Sequence, residues 1–325
     1  MKPSKTWLIV SVLCIIVGAA LMLISGVRDR TDLDELLERS GRMEQVEEKT
    51  VVVTEDFRNV TVLDSSTDVK ILPSRDGSCR VIYGQSDRVD YRVTVERDTL
   101  QVIRSDKPAE GGLRFSREEI PVQVYLPRSS YEALSIETGS GEVKLEAAGA
   151  WTDVQIRTGS GDVEAEELQT GTLFIETGSG EIELNEVQAE RLEWKSSSGR
   201  QRGTQIVCGG DAALTASSGE IELEHCLLGS LKISTTSGDV RLSQTSCGEN
   251  VRVDTDSGDI RLRSMSAESY DLHTSSGSVK GSVLGSVDFL VDSSSGSIRT
   301  KGGVRGALPC RVSTGSGDVD LEAER

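Results

Sequence analysis

The chain has 325 residues and a net charge of −17, which disfavours nucleic acid as a partner because phosphate contacts need a basic footprint. Aromatic residues make up only 4%, so any core is aliphatic and narrow. The six cysteines form no CxxC pair, which removes the usual pattern of a structural zinc site.

In chain order, the first element is an uncharged apolar run from Trp7 to Val27. At 1.5 Å per residue such a helix is ~31 Å long, enough to cross a bilayer. The run predicts an N-terminal membrane anchor over residues 1–27, with the membrane as its partner. Lys2 and Lys5 precede it, while Arg28, Arg30, Arg39 and Arg42 follow. Counted by Lys and Arg alone, the balance leans towards a cytoplasmic side for the rest of the chain. Residues 28–50 read as a juxtamembrane stalk, with Thr31 capping a short helix that carries Leu33, Leu36 and Leu37.

Residues 51–130 read as a degenerate first coil followed by a cap. VTVLDSSTDVKIL fits the repeat template described below if Thr67 takes the glycine place. RVIYG, YRVTVERDTLQVI and VQVYLP leave the period and read as hairpins covering the open edge of that coil.

Residues 131–325 repeat one phrase ten times: TGSGEVKLE, TGSGDVEAE, TGSGEIELN and their relatives. The marker glycines are Gly141, Gly161, Gly180, Gly199, Gly219, Gly238, Gly258, Gly277, Gly296 and Gly317, spaced by 19 or 20 residues with a single 21 at the end. Two residues after each glycine stands an inward position: Val143, Val163, Ile182, Gln201, Ile221, Val240, Ile260, Val279, Ile298 or Val319. Nine of these ten are β-branched, which selects strand over helix. Each unit is two short alternating strands bent at a Ser-Gly corner, where glycine provides access to positive φ and the serine hydroxyl bonds nearby backbone. One unit cannot bury its apolar side alone, but units stacked at ~4.8 Å bury a continuous core. The expected fold is all-β: a parallel β-solenoid of about eleven coils. The coil at Gly199 breaks the pattern with Arg200, Gln201, Arg202 and Gly203, and a loop or local opening is expected there. At the far end, the charges of LEAER are expected to blunt the last edge.

No catalytic residue and no cofactor site is expected. Cys208 and Cys247 share a column of mostly small residues, and the cysteines outside the membrane run read as core fillers. His225 and His273 take outward positions with no motif partner, so neither a triad nor a zinc site is supported. Two surface patterns remain. Asp162, Glu164 and Glu166, and likewise Glu220, Glu222 and Glu224, form outward acidic triplets, a candidate ladder for a divalent cation. Arg241, Arg261, Lys280 and Arg299 hold one outward position in four successive repeats, a candidate stripe for an anionic wall polymer.

Taken together, the N-terminal span, EDFRNVTVLDSSTDVKILPS, VQVYLP and LSIETGSGEV resemble the bacterial putative-adhesin family of β-strand-repeat proteins, including its membrane-anchored LiaG-like members. The resemblance covers nearly the whole chain. It implies a β-solenoid held at the cell membrane on its outer side, without known chemistry and linked to envelope stress. The resulting expectation is a non-enzymatic, single-pass surface protein for adhesion or contact with envelope proteins. Two alternatives stand beside it: a cytoplasm-facing polymerising scaffold, and a polysaccharide-active β-helix enzyme using paired carboxylates.

Overall fold

A computed structural model describes residues 46–107, 120–128, 130–146 and 149–324. The anchor Trp7 to Val27 and the stalk helix lie outside the described residues, except that residues 47–50 of the expected stalk belong to strand Glu47–Val53. Among the described residues no helix is long and apolar enough to cross a membrane.

The expected parallel β-solenoid is present, and its ten glycine-marked coils stack in register. In one sheet the inward row runs Val143, Val163, Ile182, Gln201, Ile221, Val240, Ile260 and Val279. In the facing sheet Ile136, Ile156, Ile175, Trp194, Leu214, Ile233, Val253 and Leu272 stack on one another. Both rows are buried, and together they form one continuous core. Alternation of apolar and polar residues along each short strand produces this directly, since successive side chains point to opposite faces.

The degenerate first coil sits where the sequence places it. Val60 and Val62 pair with Leu134 and Ile136, and Val69 and Ile71 pair with Val143 and Leu145. Beyond it lie strands Thr99–Asp106 and Val122–Leu126, which add a further parallel level. Strand Val89–Glu96 then closes one sheet as an antiparallel hairpin, turning at Arg97 and Asp98 with φ of 49° and 60°. In the other sheet Cys79–Gln85 and Glu47–Val53 close the edge.

Three expectations are corrected. The coil at Gly199 does not open: Gln201–Thr204 pairs without a register shift on both sides. A β-carbon on Gly203 would lie 2.8 Å from the Trp194 ring, 2.6 Å from Ile206 and 2.8 Å from Leu223. The glycine makes room for the one tryptophan in the inward row. Gln201 is fully buried and donates its side-chain amide to the Thr215 carbonyl at 2.7 Å. The irregularity of this region falls later, in strand Val207–Ala216, where the register shifts between Cys208 and Asp211 and absorbs an extra residue.

The second correction concerns the C-terminal end. The last coil in sequence is not the last in space. Strand Val319–Glu324 inserts between Val279–Leu284 and Ile298–Lys301, and Leu308–Thr314 inserts between Ser269–Thr274 and Val287–Ser293. The Gly296 coil therefore forms the outer edge, and the terminal charges do not.

The third concerns the corner itself. None of the ten marker glycines adopts positive φ. Their role is close approach: a β-carbon on Gly161 would lie 1.9 Å from the Gly141 carbonyl oxygen, and one on Gly199 1.7 Å from that of Gly180. Glycine stacks on glycine because nothing larger fits between coils.

Candidate functional site

The two corners of the coil set the outward rows. At the first, the marker serines Ser140, Ser160 and Ser179 are exposed, and the hydroxyl that holds the turn comes from three residues before each glycine. Thr158, Thr177, Thr255 and Thr274 are buried and accept a hydrogen bond from the N–H of Gly161, Gly180, Gly258 and Gly277 at 2.9–3.0 Å. Ala216 is the exception, with no hydroxyl to offer Gly219. In the first coil Asp64 takes the same place, three residues before Thr67, and accepts the Thr67 N–H at 2.7 Å. Its buried carboxylate also accepts from the Tyr91 hydroxyl at 2.5 Å and pairs with Arg104 at 3.3 Å. Burial, reinforced by the Asp64 hydrogen bond, pushes the Tyr91 phenol far above its ordinary range.

The row immediately after the glycine carries acids, and Asp differs from Glu there. Asp162, Asp239 and Asp259 each accept the backbone N–H of the next coil, from Glu181 at 2.7 Å, Asp259 at 2.9 Å and Ser278 at 2.8 Å. One carboxylate oxygen of Asp162 is thus committed to coil stacking.

The acidic triplets are not brought together. Asp162, Glu164 and Glu166 are separated from Glu220, Glu222 and Glu224 by two intervening coils, one of which carries Arg200 and Arg202 on the same face. Glu164 pairs with Lys144 at 3.3 Å, Glu220 with Arg200 at 3.7 Å and also with Arg241, and Glu222 with Arg202 at 3.5 Å. Among the described residues no group of three or more His, Cys, Asp or Glu is gathered as a metal would require.

The basic stripe is shorter than the sequence suggests. Arg241, Arg261 and Lys280 are neighbours, but Asp320 of the inserted coil stands between Lys280 and Arg299. Arg261 binds Asp239 and Asp259, both at 2.7 Å, and Arg241 reaches Asp239 at 3.4 Å. Burial works to raise the Asp239 carboxyl, yet the Arg261 hydrogen bond, the Asp259 N–H and the Arg261 charge together outweigh it and hold the group below its ordinary value. Asp318 is held low by the Ser297 N–H and hydroxyl, with Lys280 and Arg299 contributing. The acidic and basic rows lie on one face, where Glu164, Glu220, Glu222, Arg241 and Arg261 are each ion-paired.

The cysteines pack as fillers. Cys79, Cys208, Cys226, Cys247 and Cys310 are all buried and free, and burial pushes the Cys247 and Cys310 thiols up to about 12.

A feature that sequence reasoning missed lies at the second corner. Glu167, Glu186, Gln205, His225, Gln244 and Ser264, each six residues after a marker glycine, all adopt left-handed backbone, with φ between 48° and 55°. Four of these line an open trough of about 870 Å³ with Gln169, Gln188, Val207 and Leu227. Val207 and Leu227 pair side by side and are exposed, so the trough has acids at one end and an apolar floor at the other. The available signal was the row's lack of β-branched residues immediately before the buried row of Leu168, Val187 and Ile206.

A family model described as Toastrack DUF4097 matches residues 57–322 of this chain. Among solved structures, the chain is similar to a "putative adhesin" from Bacteroides fragilis NCTC 9343 at 13% identity, covering 87% of this chain and 100% of that one with a TM-score of 0.43. It is also similar to a "putative lipid binding protein" from Parabacteroides distasonis ATCC 8503 at 15% identity, covering 85% and 96% with a TM-score of 0.49. No curated protein matches the chain significantly.

Proposed function

The chain belongs to the Toastrack DUF4097 family, and on that premise we propose that it is a non-enzymatic binding rod, held at a cell membrane by Trp7 to Val27 and facing outward. The observation that carries this reading is the trough along the second corner. It crosses four coils, is open along its length, and presents the same backbone position at each step. Such a surface suits lengthwise contact with an extended partner rather than enclosure of a small substrate. An envelope protein is the preferred partner. An anionic wall polymer is less suited, because Arg241 and Arg261 are committed to Asp239 and Asp259 and the chain carries −17 overall.

The arginines after the anchor favour a second reading, a scaffold on the cytoplasmic side. Protease treatment of intact cells and of opened spheroplasts, with an epitope after Arg325, separates the two. Loss of the epitope in intact cells is the expected result. Protection until the membrane is breached would overturn the outward reading and leave the scaffold.

A further inference from the structure

The two ends of the rod are finished differently. The N-terminal end is closed by antiparallel strands, with Glu47 and Glu48 on its outer strand. Among the described residues, the C-terminal end is the Gly296 coil, whose strands Val287–Ser293 and Ile298–Lys301 are the last of their sheets. Four of the eight large hydrophobic residues exposed among the described residues gather there: Leu290, Ile298, Val304 and Leu308. The loop after Lys301 covers the start of one edge: the Val304 N–H bonds the Val287 carbonyl and the Gly306 N–H bonds the Asp288 carboxylate, both at 2.8 Å.

We propose that this end is a self-complementary interface, and that it binds the same end of a second copy of the chain. The charges select the partner. Strand Val287–Ser293 carries Asp288 and Asp292 on its outward positions, and strand Ile298–Lys301 carries Arg299 and Lys301 on its own. Lys301 also pairs with Glu322 of its own chain, so Asp292 and Arg299 lead the contact and Asp288 and Lys301 support it. The two strands of one end run in opposite directions in facing sheets. A two-fold axis along the strand direction therefore lays the acidic edge of one copy antiparallel to the basic edge of the other, twice over. Each pairing supplies main-chain hydrogen bonds to an unpaired edge and sets opposite charges across from each other. The contact closes on two copies, because the opposite end of each rod is capped by its own hairpin and strand. Filament growth by this contact is excluded by that geometry. The inference goes beyond the binding-rod reading by adding a second contact, at the end of the rod. It rests on that reading only for what the pairing accomplishes, since the pairing itself is measured without reference to membrane side.

The test uses the full chain in nanodiscs, one chain per disc, by sedimentation velocity and negative-stain microscopy. Pairs of discs joined by a straight rod of about 125 Å, two stacks of roughly 60 Å at ~4.8 Å per level, are expected. Asp288→Lys with Asp292→Lys, and separately Arg299→Glu with Lys301→Glu, should each weaken self-association on the order of 100-fold, as juxtaposed like charges do. Mixing the two variants should restore pairing, because both contacts then join opposite charges again. That recovery also shows that both variants are folded. Single discs at all concentrations, side-by-side rods, or variants that pair as well as the parent would each overturn the interface. A failure here leaves the protease experiment unaffected, and the reverse is equally true.

Discussion

The two corners of each coil solve the same geometric problem by opposite means. At the first, the chain passes so close to the coil beside it that a β-carbon has no place, and glycine recurs ten times with no need of positive φ. At the second, the chain bends through left-handed backbone, where glycine would be favoured, yet Glu, Gln, His and Ser occupy it. Steric exclusion between coils is absolute, whereas left-handed backbone costs an ordinary residue only ~1 kcal/mol. Selection at the first corner therefore leaves a mark in the sequence, and the second is free to carry surface chemistry.

The largest expected effect follows from the first corner. Gly199→Ala would set a methyl 1.7 Å from the Gly180 carbonyl oxygen, and the two coils must part to admit it. A loss above about 3 kcal/mol is expected by urea unfolding, in the range reserved for disrupted packing. Stability within about 1 kcal/mol of the parent would show that the corners yield, and would end the contrast between them.

Next in size is the compensation inside the Gly199 coil. Trp194→Ile alone removes ring volume and should cost about 2–3 kcal/mol. Gly203→Leu alone collides with Trp194, Ile206 and Leu223 and should cost a similar ~2 kcal/mol. Together they restore the Ile and Leu that the Gly180 coil has in Ile175 and Leu184, and the double variant should return to within about 1 kcal/mol of the parent. Additive losses would mean that Gly203 serves the backbone rather than the tryptophan.

The hydroxyl row gives a smaller effect and a test in both directions. Thr158→Val leaves the Gly161 N–H without its 2.9 Å acceptor and should cost about 1–3 kcal/mol. Ala216→Thr supplies the acceptor that the Gly219 coil lacks and should add about 1 kcal/mol. If Ala216→Thr destabilises, the row is set by packing and not by the hydrogen bond.

The same physics decides what was legible beforehand. The solenoid, its register and the Thr67 coil are written in period-two alternation, which survives because one side of every strand is buried. The Gly199 coil misled because Gly203 looks like a defect until Trp194, on the facing sheet, is placed against it, and Gln201 until its amide meets the Thr215 carbonyl. Strand order at the C-terminal end was hidden for a different reason. The Gly296 and Gly317 coils carry the same template, and nothing in a local pattern says which lies outermost. The acidic triplets and the basic stripe were read along the chain. Their neutralisation runs across it, through pairs such as Lys144 with Glu164, about 20 residues apart.

The smallest expected effect returns to the second corner and probes its freedom directly. Asn tolerates left-handed backbone better than Glu does, because its short amide bonds the local chain. Glu186→Asn should therefore raise stability by about 0.5 kcal/mol. Glu186→Val should lower it by ~1–2 kcal/mol, since a β-branched side chain crowds at positive φ. At the first corner the same residue has the opposite sign: Gly180→Asn meets the Gly161 carbonyl oxygen 1.9 Å from its β-carbon and should fail as badly as Gly199→Ala. Gain at one corner and collapse at the other, from one introduced side chain, would confirm that close approach governs the first corner and backbone conformation the second. Equal tolerance of Asn and Val at position 186 would remove the left-handed row as a constraint, and the trough would then owe its shape to its side chains alone.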